Sequence, residues 1–204
     1  MNPHHQSDYE FKLDNRVFRE CLQAVGLIHG DFVELGVFRG NSLMEVIRTG
    51  KNQGKHVHAF DSFRGMAEPV KEDMEPETNH TIYPKWYLDQ GGPEYLINRL
   101  SKSGYTESDY TIWAGFIPEI FGTVKDKLTF SFAYVDLDHY KPTKYALEWV
   151  WERLSPLGLM VCDDFFISQL WGTSTLAITE FIEKHVTEFD IARRTGRRII
   201  FRKR

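Results

Sequence analysis

Tyr134 to Phe165 reads YVDLDHYKPTKYALEWVWERLSPLGLMVCDDF. Its first residues close an apolar run, Phe130 to Val135, that ends in Asp136 and Asp138. Its last run, Gly158 to Cys162, ends in Asp163 and Asp164. Between them Leu147, Val150, Trp151 and Leu154 recur at helical spacing and mark one apolar face. Strand, helix, strand in this order points to a parallel sheet, whose strands bring their carboxyl ends to one edge. The two pairs of acids should therefore meet there.

The same alternation extends in both directions and predicts an α/β fold with a mostly parallel sheet. Phe18, Cys21, Leu22 and Val25 form a helix face stopped by Gly26, so residues 1–30 read as an N-terminal helical segment. Asp31 to Val37 is a strand. A helix follows from about Ser42, with Leu43, Val46 and Ile47 inward and Gly50 as its expected terminator. His56 to Phe60 is the second strand. Residues 66–92 are rich in Glu, Pro and Asp, with Tyr83, Trp86 and Tyr87 among them, and read as an excursion over one face of the sheet, a lid. Pro93 opens a helix to about Ser101. Tyr110–Trp113, Thr129–Val135 and Leu159–Cys162 are strands, and Ile178, Phe181 and Ile182 mark another helix. Segments near Ile191 and Ile199 flank Thr195-Gly196 as a terminal hairpin. No repeat or linker divides residues 1–204, which read as one domain.

FVELGVFRGNS, Phe32 to Ser42, joins the first strand to the first sheet helix. Gly36 and Gly40 let the backbone turn sharply and let a ligand approach, and Ser42 adds a hydroxyl beside the free N–H groups of the helix N-terminus. The pattern is neither the dinucleotide G-x-G-x-x-G nor a P-loop. Glu34 lies just before the turn, and Asp61 closes the second strand about twenty residues beyond Gly40, where an acid is placed to take ribose hydroxyls. Glu34 would repel a pyrophosphate but can face an ammonium. The ligand should then carry a nucleoside and a positive group, which S-adenosylmethionine does.

Asp136, Asp138, Asp163 and Asp164 in one cleft repel one another unless some are protonated or a cation lies among them. An oxygen-only donor set suits Mg²⁺ or Mn²⁺ better than Zn²⁺.

ELGVFRGNS, FDSFRGM, VDLDHYKPT and LSPLGLMVCDDF resemble the successive motifs of class I S-adenosylmethionine-dependent methyltransferases, and within them the macrocin O-methyltransferase (TylF-like) family. The resemblance covers roughly Asp31 to His185. It implies a Rossmann-like sandwich, with a seven-stranded, mostly parallel sheet, an antiparallel last strand and helices on both faces. It also implies a metal-assisted O-methyl transfer to a small hydroxylated acceptor, a natural-product sugar or related diol. By resemblance Asp136, Asp163 and Asp164 match the metal ligands and Asp138 a general base. Asp61 matches the ribose acid, and Glu34, Gly36, Gly40 and Ser42 fall in the cofactor loop. Ser62 lies near the adenine, WAGF places Gly115 and Phe116 in a later cofactor motif, and Asp136 also borders the cofactor. DLDHYKPT departs from the family pattern, and LDHYK resembles catechol O-methyltransferase. On that register Asp138 is a ligand and Lys141 the base, so Asp138, His139 and Lys141 all stand as base candidates.

The chain is 204 residues long, 42% hydrophobic and 26% charged with a net charge of −4, which argues against a nucleic-acid field over the whole molecule. The basic end, ARRTGRRIIFRKR, reads as a solvated edge hairpin in which charge blocks edge pairing. Cys21 and Cys162 show no metal spacing, and no signal segment or bilayer-length apolar stretch is visible, so a cytoplasmic protein without membrane partners is expected. The resemblance also implies a possible homo-oligomer. A nicotinamide oxidoreductase would need the missing glycine pattern. A methyltransferase-like binding module would be expected to lack the cofactor acids, which are present here.

Overall fold

The computed structural model describes residues 8–75, 78–81, 83–125, 127–165 and 173–204. The opening residues, on which the expectation about a signal segment rests, lie outside these, as do residues 76, 77 and 82 of the excursion. In chain order the elements are α1 (Asp8–Ala24), β1 (Asp31–Leu35), α2 (Asn41–Asn52), β2 (Val57–Asp61), α3 (Glu94–Lys102), β3 (Tyr110–Ala114), β4 (Phe130–Val135), α4 (Tyr140–Arg153), β5 (Leu154–Cys162), α5 (Thr173–His185), β6 (Phe189–Arg194) and β7 (Ile199–Lys203). Two short 3-10 turns lie at Lys71–Asp73 and Glu119–Thr123.

Seven strands form one sheet in the order β3-β2-β1-β4-β5-β7-β6. β1 to β5 pair in parallel, and β7 runs antiparallel to both β5 and β6. The order reverses between β1 and β4, so the crevice outside their carboxyl ends is where a ligand is expected in such a sheet. Side chains alternate along β4. Phe132 and Tyr134 join Phe18, Leu22, Leu43 and Ile47 in the core beneath α1 and α2. Ala133 and Val135 join Val150, Trp151, Ile178 and Phe181 beneath α4 and α5. Covering both faces explains why the strands read as nearly continuous apolar runs.

Strand ends shift from expectation, β1 stopping at Leu35 rather than Val37 and β5 starting at Leu154 rather than Leu159, and two boundary differences have a clear physical reason. Helix α2 runs past Gly50 to Asn52 and is closed by Gln53. Gly50 is buried inside it, where a Cβ would come within 3.0 Å of Val57 Cγ2 and 3.2 Å of the Lys55 carbonyl oxygen. The glycine there permits close packing on β2 and does not end the helix. Leu154, read as part of the α4 face, is the first residue of β5 and pairs with Phe130.

Candidate active site at the carboxyl edge of the sheet

The strand ends are stitched together by backbone bonds that continue past the last residue of each strand. Gly36 N–H donates to Phe60 C=O at 2.9 Å, Asp136 N–H to Leu35 C=O at 2.9 Å, Asp163 N–H to Val135 C=O at 2.9 Å, and Gly115 N–H to Asp61 C=O at 2.9 Å. Gly36 has φ +87°, and a Cβ on it would lie 1.7 Å from the Asp136 carbonyl oxygen. Only glycine permits the β1 and β4 loops to approach this closely. Gly40, at φ +78°, precedes α2, where a Cβ would meet Leu96 Cδ1 at 2.4 Å.

Glu34 is fully buried. Its Oε1 accepts the Ser42 hydroxyl at 2.6 Å, while Oε2 is buried without a hydrogen-bond partner. Burial pushes its carboxyl up to about 8, against the Ser42 bond that lowers it, and the Asp136 charge adds to the rise. An unpartnered buried carboxylate oxygen beside the glycine loop fits a cationic group of a ligand. Asp61 is differently engaged. Its Oδ2 accepts the N–H groups of Val37 and Phe38, each at 2.8 Å, and its Oδ1 accepts Phe63 N–H at 2.7 Å. The side chain read as a ribose acid thus also holds the shape of the glycine loop. Ser62 donates to Gly65 C=O at 2.5 Å and accepts Arg64 N–H at 3.1 Å, closing its own turn. Gly115 and Phe116 follow β3 and are half-buried.

The oxygens of Asp136, Asp138 and Asp164 gather within 4.8 Å of one another. Asp138 and Asp164 both have positive φ, 57° and 54°, a conformation that aspartate tolerates better than most residues and that recurs at functional sites. The N-terminal turn of α5 braces them, since Ser174 N–H donates to Asp138 C=O at 3.1 Å and Thr175 Oγ1 to Asp164 C=O at 2.8 Å. Burial first, then neighbouring carboxylates, raises all three carboxyl groups, Asp136 and Asp138 far above the ordinary range. A donor set of three hard oxygens that resist sharing one space as anions fits a divalent cation such as Mg²⁺ or Mn²⁺.

Asp163 stands apart from this group in its partners. Arg197 Nε and Nη2 reach its Oδ1 and Oδ2 at 2.6 and 2.7 Å, Arg198 Nη2 reaches Oδ2 at 3.3 Å, and the Tyr134 hydroxyl donates to Oδ2. Burial works to raise Asp163, but the Arg197 bonds and the two guanidinium charges outweigh it and hold the carboxyl at about 2. Of the three base candidates, Asp138 alone lies in the carboxylate group. His139 is fully buried, and its Nε2 donates to Tyr83 C=O at 2.8 Å. Lys141 is exposed and lines a groove between α4 and α5 with Lys144, Glu148 and Glu180.

The model of one protein family, described as Macrocin-O-methyltransferase (TylF), matches residues 12–203. The chain belongs to the macrocin O-methyltransferase family. A curated relative from Streptomyces olivaceus, the 8-demethyl-8-(2,3-dimethoxy-alpha-L-rhamnosyl)-tetracenomycin-C 4'-O-methyltransferase, is 27% identical over 163 residues. The alignment takes in 76% of this chain and 60% of the relative, so the chain spans about three fifths of that relative's length. Among solved structures, the calicheamicin methyltransferase CalS11 gives a TM-score of 0.75 at 19% identity, covering 94% of this chain and 79% of that one. The O-methyltransferase NovP gives 0.72 at 20% identity, with the same coverages of 94% and 79%. These likenesses, with the strand order, place the sheet in the Rossmann-like class I methyltransferase fold.

In this macrocin O-methyltransferase family member the sequence reading missed three contributors to the site. The sequence pattern puts Arg197 and Arg198 on a solvated edge, yet both turn onto Asp163. Asp73 of the excursion is buried and accepts Tyr140 N–H at 2.7 Å, capping α4 beside Asp138 and His139. A signal for the arginines was present in the RRTGRR turn, which any β7 paired with β5 must bring alongside the Asp163–Asp164 pair. The terminal hairpin itself was expected and forms. Among the described residues no helix is long and apolar enough to cross a membrane.

Proposed function

We propose that this chain is an S-adenosylmethionine-dependent O-methyltransferase that acts on a hydroxyl of a small molecule, a natural-product sugar or related vicinal diol. The observation that carries this reading is the pairing at one sheet edge of an unpartnered buried Glu34 oxygen with the group Asp136, Asp138 and Asp164. The family, and the sugar-directed relative from Streptomyces olivaceus, support the choice of reaction and acceptor class.

Glu34 takes the ammonium of the cofactor's methionine part, and Ser42 keeps its carboxylate in place. Gly36 lets the β1 and β4 loops close on each other beside the cofactor, and Gly40 lets the start of α2 pack against Leu96. Asp61 Oδ1, which has one acceptor position beyond the Phe63 bond, takes a ribose hydroxyl. Ser62, Gly115 and Phe116 flank the adenine, and Asp136 lies between cofactor and acceptor. Asp136, Asp138 and Asp164 would hold Mg²⁺ or Mn²⁺; the family register has Asp163 in place of Asp138, but Asp163 is engaged by Arg197 and Arg198. A divalent cation supplies one thing there, a lower pKa for the acceptor hydroxyl. Asp138, which offers the cation one carboxylate oxygen, would receive the hydroxyl proton on the other. Tyr83, whose hydroxyl is raised by burial and by the Asp138 and Asp164 charges, lies near the group and packs on Tyr87, their ring centroids 5.7 Å apart, where the pair would help to keep water from it. Orientation of the oxygen in line with the sulfonium methyl supplies much of the remaining rate.

Mass spectrometry of methyl transfer to a panel of rhamnosides and other vicinal diols, with Mg²⁺ and with chelator, tests the proposal. The expected result is a singly methylated product with an equal amount of S-adenosylhomocysteine. Bound cofactor with no transfer to any acceptor in the panel contradicts it.

A further inference from the structure

Asp163 has no acceptor position left for a cation. Its Oδ1 accepts Arg197 Nε at 2.6 Å and the Asp164 N–H at 2.9 Å. Its Oδ2 accepts the Tyr134 hydroxyl, Arg197 Nη2 at 2.7 Å and Arg198 Nη2 at 3.3 Å. A carboxylate offers about four acceptor positions, and the parallel two-bond contact from Arg197 is the strong form of this pairing. Asp163 is 1% exposed, so each of these bonds is made away from water.

The arginines are built into the edge of the sheet. Phe165 N–H donates to Arg197 C=O at 2.9 Å, and Thr195 N–H to Arg198 C=O at 2.9 Å, which sets the tip of the β6–β7 hairpin against the end of β5. Arg194 lies over the Phe165 ring at 5.3 Å, and Arg198 over the Tyr134 ring at 5.3 Å. Arg197 Nε is also 3.7 Å from Asp164 Oδ1. The formal charges then sum simply. Four carboxylates, Asp136, Asp138, Asp163 and Asp164, face two guanidinium groups. The two negative charges that remain equal the charge of one divalent cation.

We infer that Asp163 is the anchor of Arg197 and Arg198 and not a metal ligand, and that these fixed counter-cations confine a divalent ion to Asp136, Asp138 and Asp164. The inference rests on the proposed function only in taking a cation site to exist. Arg197 acts as a positioning residue. It orders Asp163, whose carboxylate in turn fixes the Asp164 backbone, and it limits how strongly the group attracts cations.

Mn²⁺ binding followed by electron paramagnetic resonance, on the full chain without acceptor, tests this. The paired variant Asp163→Asn with Arg197→Met keeps the net charge and should bind Mn²⁺ close to wild type. Asp138→Asn should lose about tenfold or more. Arg197→Met alone leaves a negative charge uncompensated and should bind Mn²⁺ more tightly than wild type. Calorimetric binding of S-adenosylmethionine checks that each variant is folded. A loss of about tenfold or more in the paired variant overturns the inference. So does full Mn²⁺ affinity in Asp138→Asn, which stands as a test even where the paired variant does not fold, or unchanged affinity in Arg197→Met. Wild type that binds S-adenosylmethionine but no Mn²⁺ overturns the inference and leaves the methyltransferase reading standing. Wild type that binds neither overturns both.

Discussion

Asp73 Oδ1 accepts the backbone N–H of Tyr140 at 2.7 Å and so caps α4 from a position 67 residues earlier in the chain. The same carboxylate closes its own turn by accepting Val70 N–H at 2.9 Å. His139, which precedes Tyr140, donates from Nε2 to Tyr83 C=O. Two bonds thus seat the Met66–Gly92 excursion on the helix N-terminus that follows Asp138. His139, the residue in the cap position of α4, supplies no side-chain cap, so Asp73 fills that role.

Asp73→Ala should therefore cost about 1 kcal/mol, the usual worth of a helix cap. For a chain of this size that lowers Tm by about 2–4 °C. Thermal unfolding measures it, and limited proteolysis should show faster cleavage within 66–92. An unchanged Tm would mean that the cap carries no stability.

Gly36→Ala should abolish cofactor binding. The added Cβ would fall 1.7 Å from the Asp136 carbonyl oxygen, at a φ of +87° that alanine disfavours. Separation of the β1 and β4 loops displaces Asp136 and Glu34 together. Native cofactor affinity in a folded Gly36→Ala chain would contradict the geometry of the crevice.

Glu34 makes stability depend on pH in an unusual direction. In the folded chain its carboxyl titrates at about 8, against 4.5 when unperturbed. Between those values the unfolded chain binds fewer protons than the folded one. The contribution of this group is complete below about pH 4.5 and is lost as pH rises through about 8. Glu34→Gln should flatten the decline in denaturant midpoint across that window. The same slope in the variant would place its cause elsewhere.

His139 and Asp138 should separate in kinetics. His139→Gln keeps a donor for Tyr83 C=O and should retain most of kcat, because the imidazole positions the excursion. Asp138→Asn should lose roughly 10²–10⁴-fold in kcat at saturating Mg²⁺, the usual range for a general base, beyond any loss of cation affinity. A loss of that size in His139→Gln would make the histidine the base instead.

The order of elements could be read from the chain because both faces of the sheet are covered, which leaves long apolar runs ended by acids. Glu34, Asp136, Asp138 and Asp164 were legible for the same reason, since a parallel sheet carries its strand ends to one edge. The role of Gly50 was not, because its packing against Val57 is a tertiary contact that overrides the helix-stop signal. Nor was the pairing of Asp163 with Arg197, 34 residues away. Spacing shows that a strand ends in two acids, but only the packed hairpin shows which acid is already neutralised. Asp61 is a third case. Its place at the end of β2 is legible in the sequence, but its bonds to Val37 and Phe38 N–H could not be seen without the folded loop.

Calorimetric titration of S-adenosylmethionine into wild type and Glu34→Gln bears most directly on the central claim, and avoids Asp61, whose removal would also collapse the glycine loop. The account predicts saturable binding to wild type, weakened by about tenfold or more in Glu34→Gln. Folded wild type that gives no binding heat at any temperature or buffer tested, with no displacement by S-adenosylhomocysteine, would contradict it.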